Sequence, residues 1–290
     1  MTNTVILTGA TRGLGLYVTR SLVENGFKVS LTARNSTHLE ALKAELIDRY
    51  EVAEEDILIC AGDVADNRFL QDMVAKTLER FGDIYGLVSN AGIYGPLGSL
   101  ESNSLDSWEY AIKVNLLGPM SLCRLLIPIF KQNGRGKIVQ VSGGGATKPM
   151  ANFSSYAASK AAVVRMMECL ACELEGHGID VNSVAPGLLN TALTRDVVEA
   201  GPAVVGASAY EMALQQMSDD GIGPDIDAAV SLILFLLSAN SDGISGKLIS
   251  AKWDNWRKFS EVRDQLIQSD AFTLRRLKAS DTGLYLDLDN

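Results

Sequence analysis

The run Thr4-Val5-Ile6-Leu7-Thr8-Gly9-Ala10-Thr11-Arg12-Gly13-Leu14-Gly15 decides the fold. It begins as an apolar, β-rich strand pattern and passes through three glycines into a helical pattern near 13–25. Gly9 permits a tight turn, and Gly13 and Gly15 let backbone approach a ligand with no Cβ between them. The helix start that follows offers unsatisfied N–H groups and a partial positive charge, which suit a pyrophosphate. The spacing is G-x-x-x-G-x-G rather than G-x-G-x-x-G. The place of the turn, directly after the first strand, makes it a dinucleotide-binding loop.

Outward from that turn, apolar β-rich runs alternate with helical patterns. Strands are predicted near 4–8, 28–32, 57–61, 84–89, 137–142, 179–184 and 246–250, and helices near 13–25, 36–50, 67–82, 104–132, 153–176 and 225–238. Ile57-Leu58-Ile59-Cys60 and Lys137-Ile138-Val139-Gln140-Val141 are nearly continuous hydrophobics, as in parallel strands covered by helices on both faces. Leu39, Leu42 and Leu46 recur at helical steps and should face the sheet. No repeat or linker divides the chain, so residues 1–251 read as one α/β domain. Two segments break the alternation: 188–222, a substrate loop with Gly201-Pro202 and little periodicity, and the extension 252–290, expected to pack on the domain or on a partner subunit.

With 290 residues, 47% hydrophobic and 21% charged, the chain can bury a full core. Its net charge of -9 argues against a nucleic-acid partner. The longest apolar run, Ala228 to Ala239, is too short to span a bilayer, so no membrane association is expected. With no signal-peptide pattern, the expected location is the cytoplasm. Cys60, Cys123, Cys169 and Cys172 lack framework spacing and read as reduced thiols packed in apolar surroundings. Only two histidines, His38 and His177, are present, so no metal site is expected.

The second strand ends Leu31-Thr32-Ala33-Arg34-Asn35, without the acid that usually takes the ribose 2′-hydroxyl of NAD. Arg34 and Arg12 can instead flank a 2′-phosphate, so the cofactor is predicted to be NADP(H). Further on, Tyr156 and Lys160 stand one helical turn apart in Ser155-Tyr-Ala-Ala-Ser-Lys160, and no other tyrosine has a lysine four residues on. In a helix the two share a face, where an ammonium would lower the phenol pKa toward the range a general acid or base needs.

The whole set resembles the short-chain dehydrogenase/reductase family over roughly residues 4–250. It rests on Thr8 to Gly15, Gly62-Asp63-Val64, Asn90-Ala91-Gly92, Asn115, Ser142, Tyr156-x-x-x-Lys160, and Pro186-Gly187 followed by Thr191, in the family's order. The resemblance implies a Rossmann-type doubly wound parallel sheet of order 3-2-1-4-5-6-7. It also implies roles. Tyr156 would exchange a proton with the substrate oxygen, and Ser142 would hydrogen-bond that oxygen. Lys160 would hold the nicotinamide ribose and depress the Tyr156 pKa, and Asn115 would support a water leading protons away. Gly9, Thr11, Arg12, Gly13, Leu14, Gly15, Arg34, Val64, Ala91, Gly92, Pro186 and Gly187 would line the cofactor. Asp63 would contact the adenine, Asn90 the adjoining ribose and Thr191 the carboxamide. The implied enzyme is an oxidoreductase moving hydride between NADP(H) and a small carbonyl/alcohol pair, most readily as a ketone reductase, in a homodimer or homotetramer.

Where many relatives end in a Gly-rich turn, this chain reads Gly246-Lys-Leu-Ile-Ser-Ala-Lys-Trp253-Asp254-Asn255-Trp256 and continues. The aromatics of that tail could close the pocket or join subunits. Candidate pocket residues are Ile93, Tyr94, Gly143 to Gly145, Met150, Phe153, Leu188, Leu189 and the 192–217 segment, the three glycines leaving room for a ring. Lys148, Arg165 and Arg195 are the cations that could greet an acidic substrate. Two other readings stand beside the reductase: a non-catalytic NADP(H)-binding sensor or scaffold, and a nucleotide-sugar epimerase or dehydratase. The second lacks here its Gly-x-x-Gly-x-x-Gly loop and a large C-terminal domain.

Overall fold

Along Thr4–Thr8, side chains go alternately to two cores: Val5 and Leu7 to one, Ile6 to the other. The same split recurs at Leu87 and Val88 and at Ile138 and Val139, which is why these strands are apolar on both faces. The computed structural model describes residues 3–187, 189–218, 224–278 and 281. Its strands are β1 Thr4–Thr8, β2 Lys28–Ala33, β3 Ile57–Ala61, β4 Gly86–Ser89, β5 Gly136–Val141, β6 Ile179–Ala185 and β7 Leu248–Ser250. All pair in parallel, in the order β3-β2-β1-β4-β5-β6-β7. Because β1 pairs with both β2 and β4, the winding reverses there and opens a crevice beyond the strand ends.

Helices α1 Gly13–Glu24 and α2 Ser36–Tyr50 cover one face of the sheet, and Leu39, Leu42 and Leu46 are buried there as expected. On the other face lie α3 Asn67–Phe81, α4 Leu105–Ile112, α5 Gly118–Asn133 and α6 Ser154–Glu173. The helix expected over 104–132 is interrupted by a π-helical turn, Lys113–Leu117. The continuous stretch Leu105–Asn133 is long and apolar enough to cross a membrane by length and composition. Its apolar side, with Leu122, Leu126 and Phe130, is committed to the core of this fold.

The segment expected to be irregular forms three helices instead: α7 Ala192–Ala200, α8 Pro202–Val205 and α9 Ala207–Ser218. Gly201 and Gly206, both at positive φ, break the segment into separate helices, so no single helical period runs through it. Leu188 and 219–222 lie outside the described residues. Helix α10 Pro224–Leu237 then returns to the α1 face.

After β7 the described residues of the extension pack against the sheet and helices that precede them. Trp256, Phe259 and Leu266 enter the α1-side core, Trp256 lying 5.7 Å from the Phe235 ring. Helix α11 Arg263–Gln268 leads to Phe272, whose carbonyl accepts from Leu248 N at 2.7 Å on the free edge of β7. Of the cysteines, Cys60 and Cys123 are buried, but Cys169 and Cys172 are exposed. The inner stripe of α6 runs through Lys160, Val163, Val164 and Met167, and the helical period carries both cysteines off it.

Candidate active site

The residues just after β1, β2, β3, β4, β5 and β6 converge on one cavity of about 510 Å3, roofed by α7 and α9. At its β1 end, Gly9 adopts φ +70°, and a Cβ there would lie 2.9 Å from Asn90 Nδ2. Asn90 Nδ2 donates to Thr8 O and Gly9 O at 3.0 and 3.1 Å, so this side chain ties the β4 end to the glycine turn. Arg12, the N-cap of α1, makes no side-chain cap, leaving the first-turn N–H groups directed at the cavity. Thr11, Arg12, Gly13, Leu14 and Arg34 line this end, and neither arginine forms an ion pair among the described residues.

At the other end Ser142, Tyr156 and Lys160 are all buried. Ser142 follows β5, and its buried Oγ has no hydrogen-bond partner among the described residues. Next to it, a Cβ on Gly143 would collide with the Tyr156 hydroxyl, so the phenol oxygen rests against that backbone. The space beside Gly143 is therefore taken by the Tyr156 hydroxyl, while Gly144, which also lines the cavity, has nothing within 4 Å of where a Cβ would lie. Burial, with Tyr94 nearby, pushes the Tyr156 phenol above its usual value. The expected depression by Lys160 is not present. Lys160 Nζ donates to Val141 O at 3.0 Å and sits 5.7 Å from the centre of the Tyr156 ring, while burial lowers its own pKa to about 8. Desolvation thus disfavours the charged form of both groups.

Asn115 stands on the π-helical turn, fully buried. Its Oδ1 accepts from Ile93 N at 2.9 Å, and its Nδ2 donates to Ile93 O at 2.8 Å and Ser159 Oγ at 2.9 Å. Ser159 in turn donates to Tyr156 O at 2.8 Å. Ser159 went unnoticed in the sequence, although its place three residues after Tyr156 puts it on the same face of the helix. Tyr110 was missed as well, with no local signal: its hydroxyl crosses from α4 to Asp63 Oδ2 at 2.5 Å. Gln216, inside the predicted 192–217 segment, lines the roof and accepts from Thr194 Oγ1 at 3.3 Å.

Asp63, Val64, Asn90, Ala91, Gly92, Pro186, Gly187 and Thr191 all line the cavity; Gly15 and Asn115 stand behind it. Thr191 caps α7 through a reciprocal Thr191–Thr194 box. Ile93, Tyr94, Met150, Phe153, Val197, Ala209, Met212 and Ala213 form an apolar wall. Lys148, Arg165 and Arg195 do not reach the cavity, nor does any described residue of the tail.

The geometry sets a glycine turn at a helix start at one end of the cavity and Ser142, Tyr156 and Lys160 at the other. The short chain dehydrogenase family model matches residues 3–201. The chain belongs to the short-chain dehydrogenase/reductase family and is an oxidoreductase of that class. It is 30% identical over 247 residues to levodione reductase of Leifsonia aquatica, across 84% of this chain and 91% of that one. To L-xylulose reductase of Caenorhabditis elegans it is 31% identical over 249 residues, across 84% and 92%. A crystal structure of levodione reductase covers 88% of this chain and 97% of its own at TM-score 0.76 and 27% identity. A structure of ElxO with NADP bound gives 0.73 at 25% identity, covering 87% and 97%.

Proposed function

We propose that this chain is an NADP(H)-dependent reductase of uncharged ketones. The observation that carries the reading is the unpaired, buried Ser142 hydroxyl beside the Tyr156 phenol in an apolar cavity. A buried hydroxyl without a partner is costly, and a substrate carbonyl oxygen would satisfy it. The residues at the other end suit the cofactor: a helix start without a side-chain cap for the pyrophosphate, and two arginines in no ion pair among the described residues for a 2′-phosphate. The likeness to ElxO, which has NADP in its structure, supports the same choice.

In the reducing direction NADPH, when bound, supplies the hydride. Ser142 Oγ would donate to the carbonyl oxygen and fix it within reach of Tyr156 Oη. Burial keeps that phenol protonated at neutral pH, the state a proton donor requires. As its proton leaves for the new alcohol, Lys160, on the same helix face, is the cation among the described residues at this end that would face the forming phenolate. The Ile93–Asn115–Ser159 bonds hold that stretch of helix in place. Tyr94, Phe153 and Val197 exclude water, and among the described residues no cation but Lys160 lines this end to attract a carboxylate or phosphate. The similarity to levodione and L-xylulose reductases fits a neutral ketone.

The test is equilibrium titration with NADPH and NADH, followed by NADPH oxidation at about 340 nm, where the reduced nicotinamide absorbs, against cyclic ketones, sugar ketones and 3-oxoacyl thioesters. Tight NADPH binding and turnover of neutral ketones is expected. Tyr156→Phe should cut turnover by roughly a thousandfold while leaving NADPH affinity nearly unchanged. Tight binding with no turnover of any substrate would favour a cofactor-sensing role, and substantial turnover by Tyr156→Phe would remove Tyr156 as the proton donor.

A further inference from the structure

Arg34 and Asp63 follow adjacent parallel strands one residue out of step, since Ala33 pairs with Ala61 and Gly62 N donates to Ala33 O at 3.0 Å, which sets Arg34 level with Gly62. They carry opposite charges and line the same cavity. Such a pair would ordinarily close into a salt bridge, yet none joins them among the described residues. The carboxylate is engaged elsewhere. Its Oδ1 accepts from Ala65 N at 2.9 Å, and its Oδ2 accepts the Tyr110 hydroxyl at 2.5 Å. Tyr110 reaches it from α4. Arg34 hydrogen-bonds the same phenol oxygen, so Tyr110 stands between the two charges; burial and the bond to Asp63 raise its pKa, keeping it protonated and a donor to the carboxylate.

We propose that Tyr110 is a positioning residue that sets cofactor preference by holding the Asp63 carboxylate off Arg34. The inference rests on the NADP(H) reading above. An Arg34–Asp63 pair would neutralise the cation that a 2′-phosphate needs, whereas a cofactor with a plain 2′-hydroxyl would lose little. Removing only the Tyr110 hydroxyl leaves Oδ2 without its donor, and Arg34 is the strong donor on hand to replace it. Cofactor choice in this chain therefore depends on a helix that carries no part of the glycine turn.

The experiment is calorimetric or fluorescence titration of NADPH and NADH into the full chain, Tyr110→Phe, Asp63→Asn and the double variant. The unaltered chain should prefer NADPH. Tyr110→Phe should weaken NADPH about tenfold while NADH changes by less than about twofold, the loss of one charge-assisted contact. In the Asp63→Asn background, where no carboxylate is left to capture Arg34, Tyr110→Phe should leave the NADPH/NADH ratio unchanged. An unchanged ratio in Tyr110→Phe alone, or equal weakening of both cofactors as a merely structural role would give, overturns the proposal. So does a ratio shift that persists with Asn at position 63. Equal affinities in the unaltered chain would overturn the NADP(H) reading and this proposal with it, an outcome distinct from the failure of Tyr110→Phe.

Discussion

Lys160 keeps an ammonium where an ammonium is costly. Burial lowers its pKa from 10.5 to about 8, and Val141 O at 3.0 Å is its one hydrogen-bond acceptor among the described residues. The folded chain therefore binds fewer protons here than the unfolded chain between pH 8 and 10.5, so stability rises with pH through that window. Below the folded pKa the full cost applies, roughly 3 kcal/mol. Lys160→Met should accordingly stabilise the ligand-free protein at pH 7 by up to about that amount, and the gain should shrink as pH climbs above 8. Denaturant melts at several pH values check this, and a Met variant less stable than the parent at pH 7 would refute it. The same residue shows what a spacing argument leaves out. Tyr-x-x-x-Lys places both groups on one face, but the sequence does not show how buried that face is, and desolvation moves the phenol up instead of down.

At the scale of the element, the π-helical turn Lys113–Leu117 connects the fold to the chemistry. One residue beyond the α-helical count turns Asn115 inward at the join of α4 and α5, where it bonds both backbone groups of Ile93 and the Ser159 hydroxyl. Asn115→Ala would leave these buried groups unpaired, at a cost of roughly 2–4 kcal/mol. Urea melts should show that loss, with turnover falling more than NADPH affinity. A variant within about 0.5 kcal/mol of the parent would mean that water replaces the amide. Long, strongly patterned elements were legible: strand order, the glycine turn, and α2 with Leu39, Leu42 and Leu46 all stand where the pattern and the family resemblance put them. What was not legible depends on contacts remote in sequence or on breaks in period. The Tyr110–Asp63 bond spans 47 positions, the π-turn adds one residue inside an apolar run, and Gly201 and Gly206 break one segment into three separate helices.

At the scale of the molecule, β7 ends the sheet, and an edge strand invites pairing with another chain. Here the edge is covered from within. Leu248 N donates to Phe272 O at 2.7 Å, Lys247 Nζ donates to Ser269 O and Ala271 O at 2.8 and 3.2 Å, and Leu274 N donates to Glu168 Oε1 at 2.6 Å. Phe272 accepts φ +60° to make this turn and packs its ring 5.0 Å from Phe259. A left-handed phenylalanine costs about 1 kcal/mol or more, which the covered edge and ring contact must offset. Ending the chain at Asp270 would remove that ring, the Leu274 contacts on α6 and the cover of β7. Melting should fall by several degrees, at about 2–4 °C per kcal/mol for a domain of this size. Sedimentation should become concentration-dependent as bare edges find each other. NADPH affinity should stay within about twofold, since no described tail residue lines the cavity. An unaltered melting point together with an unaltered sedimentation profile would show that the tail neither supports nor shields the sheet. A large loss of affinity with the melting point unchanged would instead place the tail's influence at the cofactor groove.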